Sequence, residues 1–386
     1  MGIRFQFNKN RGDIKRMTRK PAIKTDINLD ALIKDVKNAL GKQLTVLKDV
    51  SFWVPTGIPR MDLALGGGIP AGKLTTLIGK KSVGKSTLTI HILSRIQAMS
   101  GLALGLDAER ANLKSRCLAQ GIDMDRYIGA EPESLDSFER ENFKTGKAEK
   151  VKGAFQIMED VLKVVYKQSP DQLVGVVLDS VAGSSVASEI EADYGKAGMG
   201  KHARVLSQAF RKIMPIVGEM NTCFLLVNQL KEKIGVVYGS PTTYIGKNPI
   251  DFSSAITLEM VSGGNFPDKS TDPEGITTKI WVSKNKVFKP FTKFSYVTWF
   301  DRGIDTLWET IDFLNKECKA FGASPGYLEW DGKKRRMAEL YDIALEEPEI
   351  SAKFVTMAKE AVDGKLKNYK DSMVNLGSTV SKPAVA

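Results

Sequence analysis

One nine-residue stretch constrains this chain more than any other: Gly79-Lys80-Lys81-Ser82-Val83-Gly84-Lys85-Ser86-Thr87, a G-x-x-x-x-G-K-S pattern. An apolar run, Leu74-Thr75-Thr76-Leu77-Ile78, precedes it, and an amphipathic run from Leu88 to Met99 follows. Strand, glycine-rich turn and helix in that order are the setting in which a loop cradles phosphate. The glycines let backbone N–H groups approach the anion, and the helix N-terminus adds a favourable dipole. Lys85 would reach the β- and γ-phosphates and Ser86 would ligate Mg²⁺. A plain Gly/Lys/Ser surface loop has a similar composition, but it does not require the flanking strand and helix. The chain is therefore expected to bind ATP or GTP.

A length of 386 residues allows one large domain with smaller appendages, and 42% hydrophobic residues is ordinary for a globular protein. Cys117, Cys223 and Cys318 lie far apart, with no C-x-x-C pair, so neither a disulfide framework nor a zinc site is indicated. A reducing compartment fits, and with no apolar leader or long apolar run the expected location is cytoplasm. The net charge of +11 points to an acidic partner. Residues 1–24 hold eight Lys or Arg (Arg4, Lys9, Arg11, Lys15, Arg16, Arg19, Lys20, Lys24) against Asp13 alone. Such an arm, taken as residues 1–27 and expected to be disordered, either contacts nucleic acid or is a solubilising tail.

After the arm, residues 28–44 show helical spacing (Leu29, Leu32, Ile33, Val36, Leu40), with Asn28 or Asp30 near the cap. Four apolar runs follow: 74–78, 102–106, 173–178 and 223–227. Helical segments at 88–99, 111–120 and 203–220 lie between them, the alternation of a parallel α/β sheet. Residues 256–260, 276–282 and 294–299 extend that sheet, in part antiparallel. Residues 131–153, most charged from Glu139 to Lys152, read as a surface insertion. Two glycine-bearing loops, 189–201 and 232–249, follow strand ends, where function concentrates. Beyond about 307 the pattern turns helical, and a polar tail starts near 371.

Ligands of parallel sheets sit beyond the C-terminal strand ends, and Glu109, Asp179 and Gln229 all fall there. Asp179 fits the acid that holds Mg²⁺ through water, or else caps the next turn. Glu109 could polarise an attacking water, or serve as a cap or surface ion pair. Gln229 could contact a γ-phosphate, although polar residues at strand ends are common.

Further motifs resemble the RecA-type homologous recombinase family, in its cellular or its viral UvsX-like form, from about Leu29 to about Val362. They are Thr56-Gly57-Ile58-Pro59-Arg60-Met61-Asp62-Leu63-Ala64-Leu65-Gly66 and Leu106-Asp107-Ala108-Glu109. Glu189-Ile190-Glu191, Met199-Gly200, Ala203-Arg204, Ser207-Gln208-Ala209 and Arg211-Lys212 resemble that family's first DNA loop and its following helix. Asn228-Gln229, Lys233-Ile234-Gly235-Val236 and Gly239 resemble its second, and Lys284-Asn285-Lys286 with Pro290-Phe291 the segment that completes a neighbour's ATP site.

The resemblance implies roles residue by residue. Glu109 would activate water, and Gln229 would sense the γ-phosphate. Lys284 and Lys286 would reach a neighbouring subunit's phosphates, as an arginine finger does. Met199 and Ile234 would insert between groups of bases, while Gly200, Arg204, Ser207, Arg211, Lys233, Gly235 and Val236 would hold the strand's backbone. Phe252 would link the second loop to the subunit interface. Residues 79–87, Asp179 and Arg116 would bind the nucleotide, Arg116 standing where the family usually offers a tyrosine to the adenine. On the residues alone, a solvated basic turn for Lys284 and Lys286 and local packing for Met199 and Ile234 are the default readings. The arm and the insertion lie outside the family pattern, and the tail lacks an acidic run. The basic stretch 333–336, after Trp330, could gather duplex DNA or be a solvated turn.

The expected architecture is α/β: a RecA-like P-loop ATPase core with a mostly parallel twisted sheet, a short N-terminal helical segment and a small C-terminal α/β domain. The expected boundaries are 28–50 for the helical segment, 51–302 for the core with DNA loops near 189–201 and 231–249, 303–370 for the small domain and 371–386 for a flexible tail. The expected function is ATP- and Mg²⁺-dependent strand exchange by a helical filament on single-stranded DNA. Duplex DNA and loading or single-strand-binding proteins would be its partners. A hexameric helicase sharing the core would need a larger N-terminal domain, and a non-catalytic mediator would not need Lys85, Ser86, Glu109 and Asp179 together.

Overall fold

A computed structural model of the chain describes residues 28–40, 49–50, 52–142, 144–192, 200–232, 242–324 and 327–379. It falls into two units, Met1–Asp49 and Val50–Ala386. The first holds one described helix, Leu29–Leu40, where the spacing had suggested 28–44. Asn28 caps it, its side-chain oxygen accepting the Ala31 N–H at 3.1 Å. Leu32, Ile33 and Val36 form an apolar stripe on this helix and are exposed. The basic arm, 1–27, lies outside the described residues.

The second unit is built on an eight-stranded sheet. In chain order its strands are β1 (Lys73–Gly79), β2 (Leu102–Asp107), β3 (Tyr127–Ala130), β4 (Val174–Asp179), β5 (Thr222–Gln229), β6 (Ile256–Phe266), β7 (Gly275–Asn285) and β8 (Lys293–Trp299). Their spatial order is β8-β7-β6-β1-β5-β4-β2-β3. From β6 to β3 every pairing is parallel, whereas β7 runs antiparallel to both its neighbours. Strands buried on both faces read as continuous apolar runs, and β5 shows why. Its Cys223 and Leu225 enter one core, with Leu88, Ile92 and Ile96 of the helix Lys85–Ala98. Its Phe224 and Leu226 enter the other, against Met158 and Leu162 of Ala154–Gln168 and Leu206, Phe210, Ile213 and Val217 of Lys201–Glu219.

Three expectations shift. The helix expected over 111–120 begins only at Lys114. The Asp107 carboxylate takes the Glu109 and Asn112 N–H groups and Arg110 adopts φ 54°, so 109–112 is a loop. The charged insertion is an antiparallel hairpin, Phe138–Glu141 with Ala148–Val151, anchored by the buried Phe138 and laced by Arg140 to Glu133 and Glu149. The tail expected from Asp371 continues as helix, since Pro348–Thr379 is unbroken.

A third core gathers the C-terminal elements: the helix Thr306–Lys316, a three-stranded antiparallel sheet, and the helices Met337–Glu346 and Pro348–Thr379. Phe313, Phe321, Leu328 and Phe354 fill it, and the partly buried Leu63 and Phe288 pack on its side. Lys333, Lys334 and Arg336 of the basic stretch are exposed. Among the described residues no helix is long and apolar enough to cross a membrane.

Glu309, on the helix Thr306–Lys316, links the third core to strand β8. It is buried, accepts the Val297 N–H at 2.8 Å and lies 3.7 Å from Arg60, which sits closer, at 2.9 Å, to Asp312. Burial outweighs these contacts and pushes the Glu309 carboxyl up to about 8. The folded state thus holds this proton more tightly than the unfolded chain. The stabilisation is complete below the free carboxyl's 4.5, falls as pH rises and is gone above about 8. Glu309→Gln, a neutral isostere that keeps the Val297 bond, should flatten the decline of thermal midpoint between pH 5 and 9. An unchanged slope would show that another group carries it.

Candidate active site

The loop after β1 is shaped by close approach. A Cβ on Gly79 would lie 2.5 Å from the Met260 carbonyl oxygen of β6, and Gly84 holds φ 86° where the helix Lys85–Ala98 begins. L-residues disfavour that conformation, so the second glycine is required by the turn. The Lys85 ammonium is buried and donates to the carbonyls of Gly79 (3.1 Å) and Lys80 (2.6 Å). Burial lowers its pKa, opposed by the charges of Asp179 and Glu109.

Parallel register brings the acids to the same edge. Gly79 pairs with Gln229, and Asp107 with Asp179. Asp179 is buried, with the Ser86 side chain beside it. Burial, then the charges of Glu109 and Asp107, push its carboxyl up to about 6, while Ser86 and Lys85 pull the other way. Glu109 Oε1 accepts hydrogen bonds from Ser180 Oγ (2.5 Å) and Gln229 Nε2 (2.7 Å). Sequence reasoning named Glu109, Gln229 and Asp179 but missed Ser180 and Gly183. A Cβ on Gly183 would stand 2.6 Å from Glu109 Cγ. Ser180 directly follows the Asp179 strand end, which was its signal; Gly183 gave none, because its role depends on a side chain 74 positions away in sequence.

These groups line a cleft of about 820 Å³. At the phosphate end stand Lys85, Ser86, Asp179, Glu109 and Gln229; Arg116, Ser115, Phe300 and Asp301 also line it. Arg116 donates to Thr87 Oγ1 at 2.9 Å, and the Phe300 ring is exposed. Phe300 and Thr298 were missed because they lie at the end of β8, whose return antiparallel to β7 brings its C-terminal end to the same edge as that of β1. Among the described residues no cluster of three His, Cys, Asp or Glu is poised to hold a metal alone. The donors present, a hydroxyl and a carboxylate beside a phosphate loop, suit Mg²⁺ arriving with a nucleotide's own oxygens.

Lys284 and Lys286 are not in this cleft. Lys284 is near the end of β7 and Lys286 just beyond it, and the antiparallel course of β7 sets Lys284 beside Thr257 and thus at the level of Thr76, in the middle of β1. Lys284 donates to the Asp251 carbonyl and Lys286 to that of Phe252 (3.1 Å). Phe252 is among the most exposed aromatic residues, at 83%. Gly200, Arg204, Ser207 and Arg211 fall at the start of the helix Lys201–Glu219, with both arginines exposed. Met199, Lys233, Ile234, Gly235 and Val236 lie outside the described residues. The chain enters and leaves the second loop through a strand pair, Lys231 opposite Thr243 and Glu232 opposite Thr242.

Comparison with known proteins adds the following. Residues 27–305 match the family model described as the RecA N-terminal domain. Protein RecA of Nostoc punctiforme is 34% identical over 263 residues, 68% of this chain and 67% of that protein. Protein RecA of Trichormus variabilis is 31% identical over 333 residues, 86% and 84% of the two chains. Protein RecA of Francisella tularensis subsp. novicida is 34% identical over 282 residues, 73% and 72%.

The Gly183 contact generates a test. Gly183→Ala should displace Glu109 and cut nucleotide hydrolysis on the order of a hundredfold, the cost of a misplacement near 1 Å, while nucleotide binding persists. Hydrolysis at the parental rate would separate Gly183 from the positioning of Glu109.

Proposed function

The chain belongs to the RecA family, and from that premise we propose that the cleft is the DNA-dependent ATPase centre of a helical filament formed on single-stranded DNA. The protein is an ATP-dependent recombinase acting in DNA recombination and repair. The observation that carries the mechanistic reading is the pair of hydrogen bonds on one oxygen of Glu109, from Ser180 and Gln229, beside Lys85 and Asp179.

Phosphoryl transfer calls for positioning and charge neutralisation more than for covalent chemistry. Backbone N–H groups of residues 79–87 would seat the triphosphate of ATP, and Lys85 would exchange its loop carbonyls for phosphate oxygens. Ser86 and, through water, Asp179 would hold Mg²⁺, which supplies charge neutralisation at those oxygens. Ser180 fixes Glu109 so that its carboxylate can orient and deprotonate the attacking water. Gln229 stands between Glu109 and the second DNA loop, so a γ-phosphate that draws its amide away would alter both. Arg116 would lie along the base, since a guanidinium can stack on an aromatic face.

Lys284 and Lys286, remote from their own cleft, are suited to serve the cleft of the next subunit. Gly200, Arg204, Ser207 and Arg211, with Lys233, Gly235 and Val236, would bind the DNA backbone, and Met199 and Ile234 would part its bases. Such contacts accept any sequence, which leaves homology to be read by base pairing.

Single-stranded DNA should raise the ATPase rate, and electron microscopy should show open helical filaments; closed rings with duplex unwinding would instead indicate a helicase. Lys85→Ala should lose nucleotide-dependent filament activity. Glu109→Gln should slow hydrolysis by roughly 10²–10⁴-fold while ATP-loaded filaments still form. A Glu109→Gln protein hydrolysing at the parental rate would remove Glu109 from the role of base. DNA binding should fall steeply as salt rises, because many phosphates are contacted.

A further inference from the structure

Lys80, the second residue of the phosphate loop, touches two functional systems at once. Its carbonyl oxygen accepts the Lys85 ammonium at 2.6 Å. Its own ammonium lies 2.8 Å from Glu232 Oε1, and both side chains are mostly exposed. Glu232 sits in the short strand pair with Thr242–Thr243 that closes the base of the second DNA loop. Next to this pair, Leu230 N–H donates to the Gly79 carbonyl at 3.2 Å. The phosphate loop and the base of the hairpin therefore leave the sheet edge together, joined by one backbone bond and one ion pair.

We infer that the Lys80–Glu232 pair is a second positioning link between the nucleotide and the DNA loop, separate from Gln229 and resting on the recombinase reading above. A seated triphosphate draws Lys85 off the Lys80 carbonyl and so loosens the loop residue whose own ammonium holds Glu232. A Glu232 left without its lysine is a bare negative charge at the base of a loop that must approach a polyanion. While paired, Glu232 is neutralised and the hairpin base is held to the phosphate loop. The pair would thus set how much DNA is needed to stimulate hydrolysis, rather than the rate of the chemical step. It also makes that dependence sensitive to salt, because an exposed pair is screened.

The test is a charge-swap cycle in the full chain. Glu232→Lys, Lys80→Glu and the double swap are compared for the concentration of poly(dT) that half-maximally stimulates ATP hydrolysis, each normalised to its own DNA-free rate. Lys80→Glu juxtaposes two carboxylates and should raise that concentration. The double swap, which restores opposite charges, should bring it back roughly two- to fivefold, the range open to an exposed pair. Glu232→Gln, which removes charge but keeps an amide, should leave the maximal stimulated rate unchanged and abolish the effect of altering residue 80. Single-variant effects that simply add in the double swap would overturn the link. A parental protein whose hydrolysis does not respond to poly(dT) would instead defeat the recombinase reading, and the inference with it.

Discussion

The register of the parallel strands is the constraint on which the rest depends. Gly79 opposite Gln229 and Asp107 opposite Asp179 place the phosphate loop, the acids and the amide at the same edge, although they come from four separate stretches of chain. A slip of one residue in β5 would exchange Phe224 and Leu226 with Cys223 and Leu225 between the two cores and turn Gln229 away from Glu109. The packing that fixes the fold therefore also fixes the site, since β5 is buried on both faces and each face admits only its own set of side chains.

Electrostatics at that edge is crowded by design of the fold. Asp107, Glu109 and Asp179 stand near the buried ammonium of Lys85. Desolvation raises the Asp179 carboxyl and lowers the Lys85 ammonium, so burial opposes charge on both partners. A site arranged this way favours ligands that bring their own compensating charges, and a nucleotide with its cation does so. Asp107 relieves part of the crowding by taking two backbone N–H groups, and that same act converts 109–112 from helix to loop and frees Glu109 to face the cleft.

Much of this was legible in the sequence. The β1 apolar run, its glycines and the following amphipathic stretch identify the phosphate loop without further help, because each is a local signal. The apolar runs ending at Asp107, Asp179 and Gln229 likewise announce strand ends. What escaped were contacts made across the chain. Gly183 matters through its nearness to Glu109, and Phe300 reaches the cleft only because β8 returns antiparallel to β7 and ends at the same edge as β1. The start of the helix at Lys114 escaped for a related reason, since a carboxylate cap on 109–112 overrides helical spacing. The insertion was legible as charged but not as a hairpin, whose pairing depends on Phe138 finding a buried place.

The position of Lys284 and Lys286 away from their own cleft has an arithmetical consequence. On the proposed arrangement each subunit offers an incomplete cleft at one face and the completing lysines at another, a head-to-tail relation that need not close. An open row of subunits then contains one fewer finished centre than it has members. A lone subunit has none, a pair has one, and the fraction approaches unity only in long rows. Catalytic capacity per subunit becomes a measure of length, and a subunit lost from the middle of a row abolishes two finished centres where one lost from an end abolishes one.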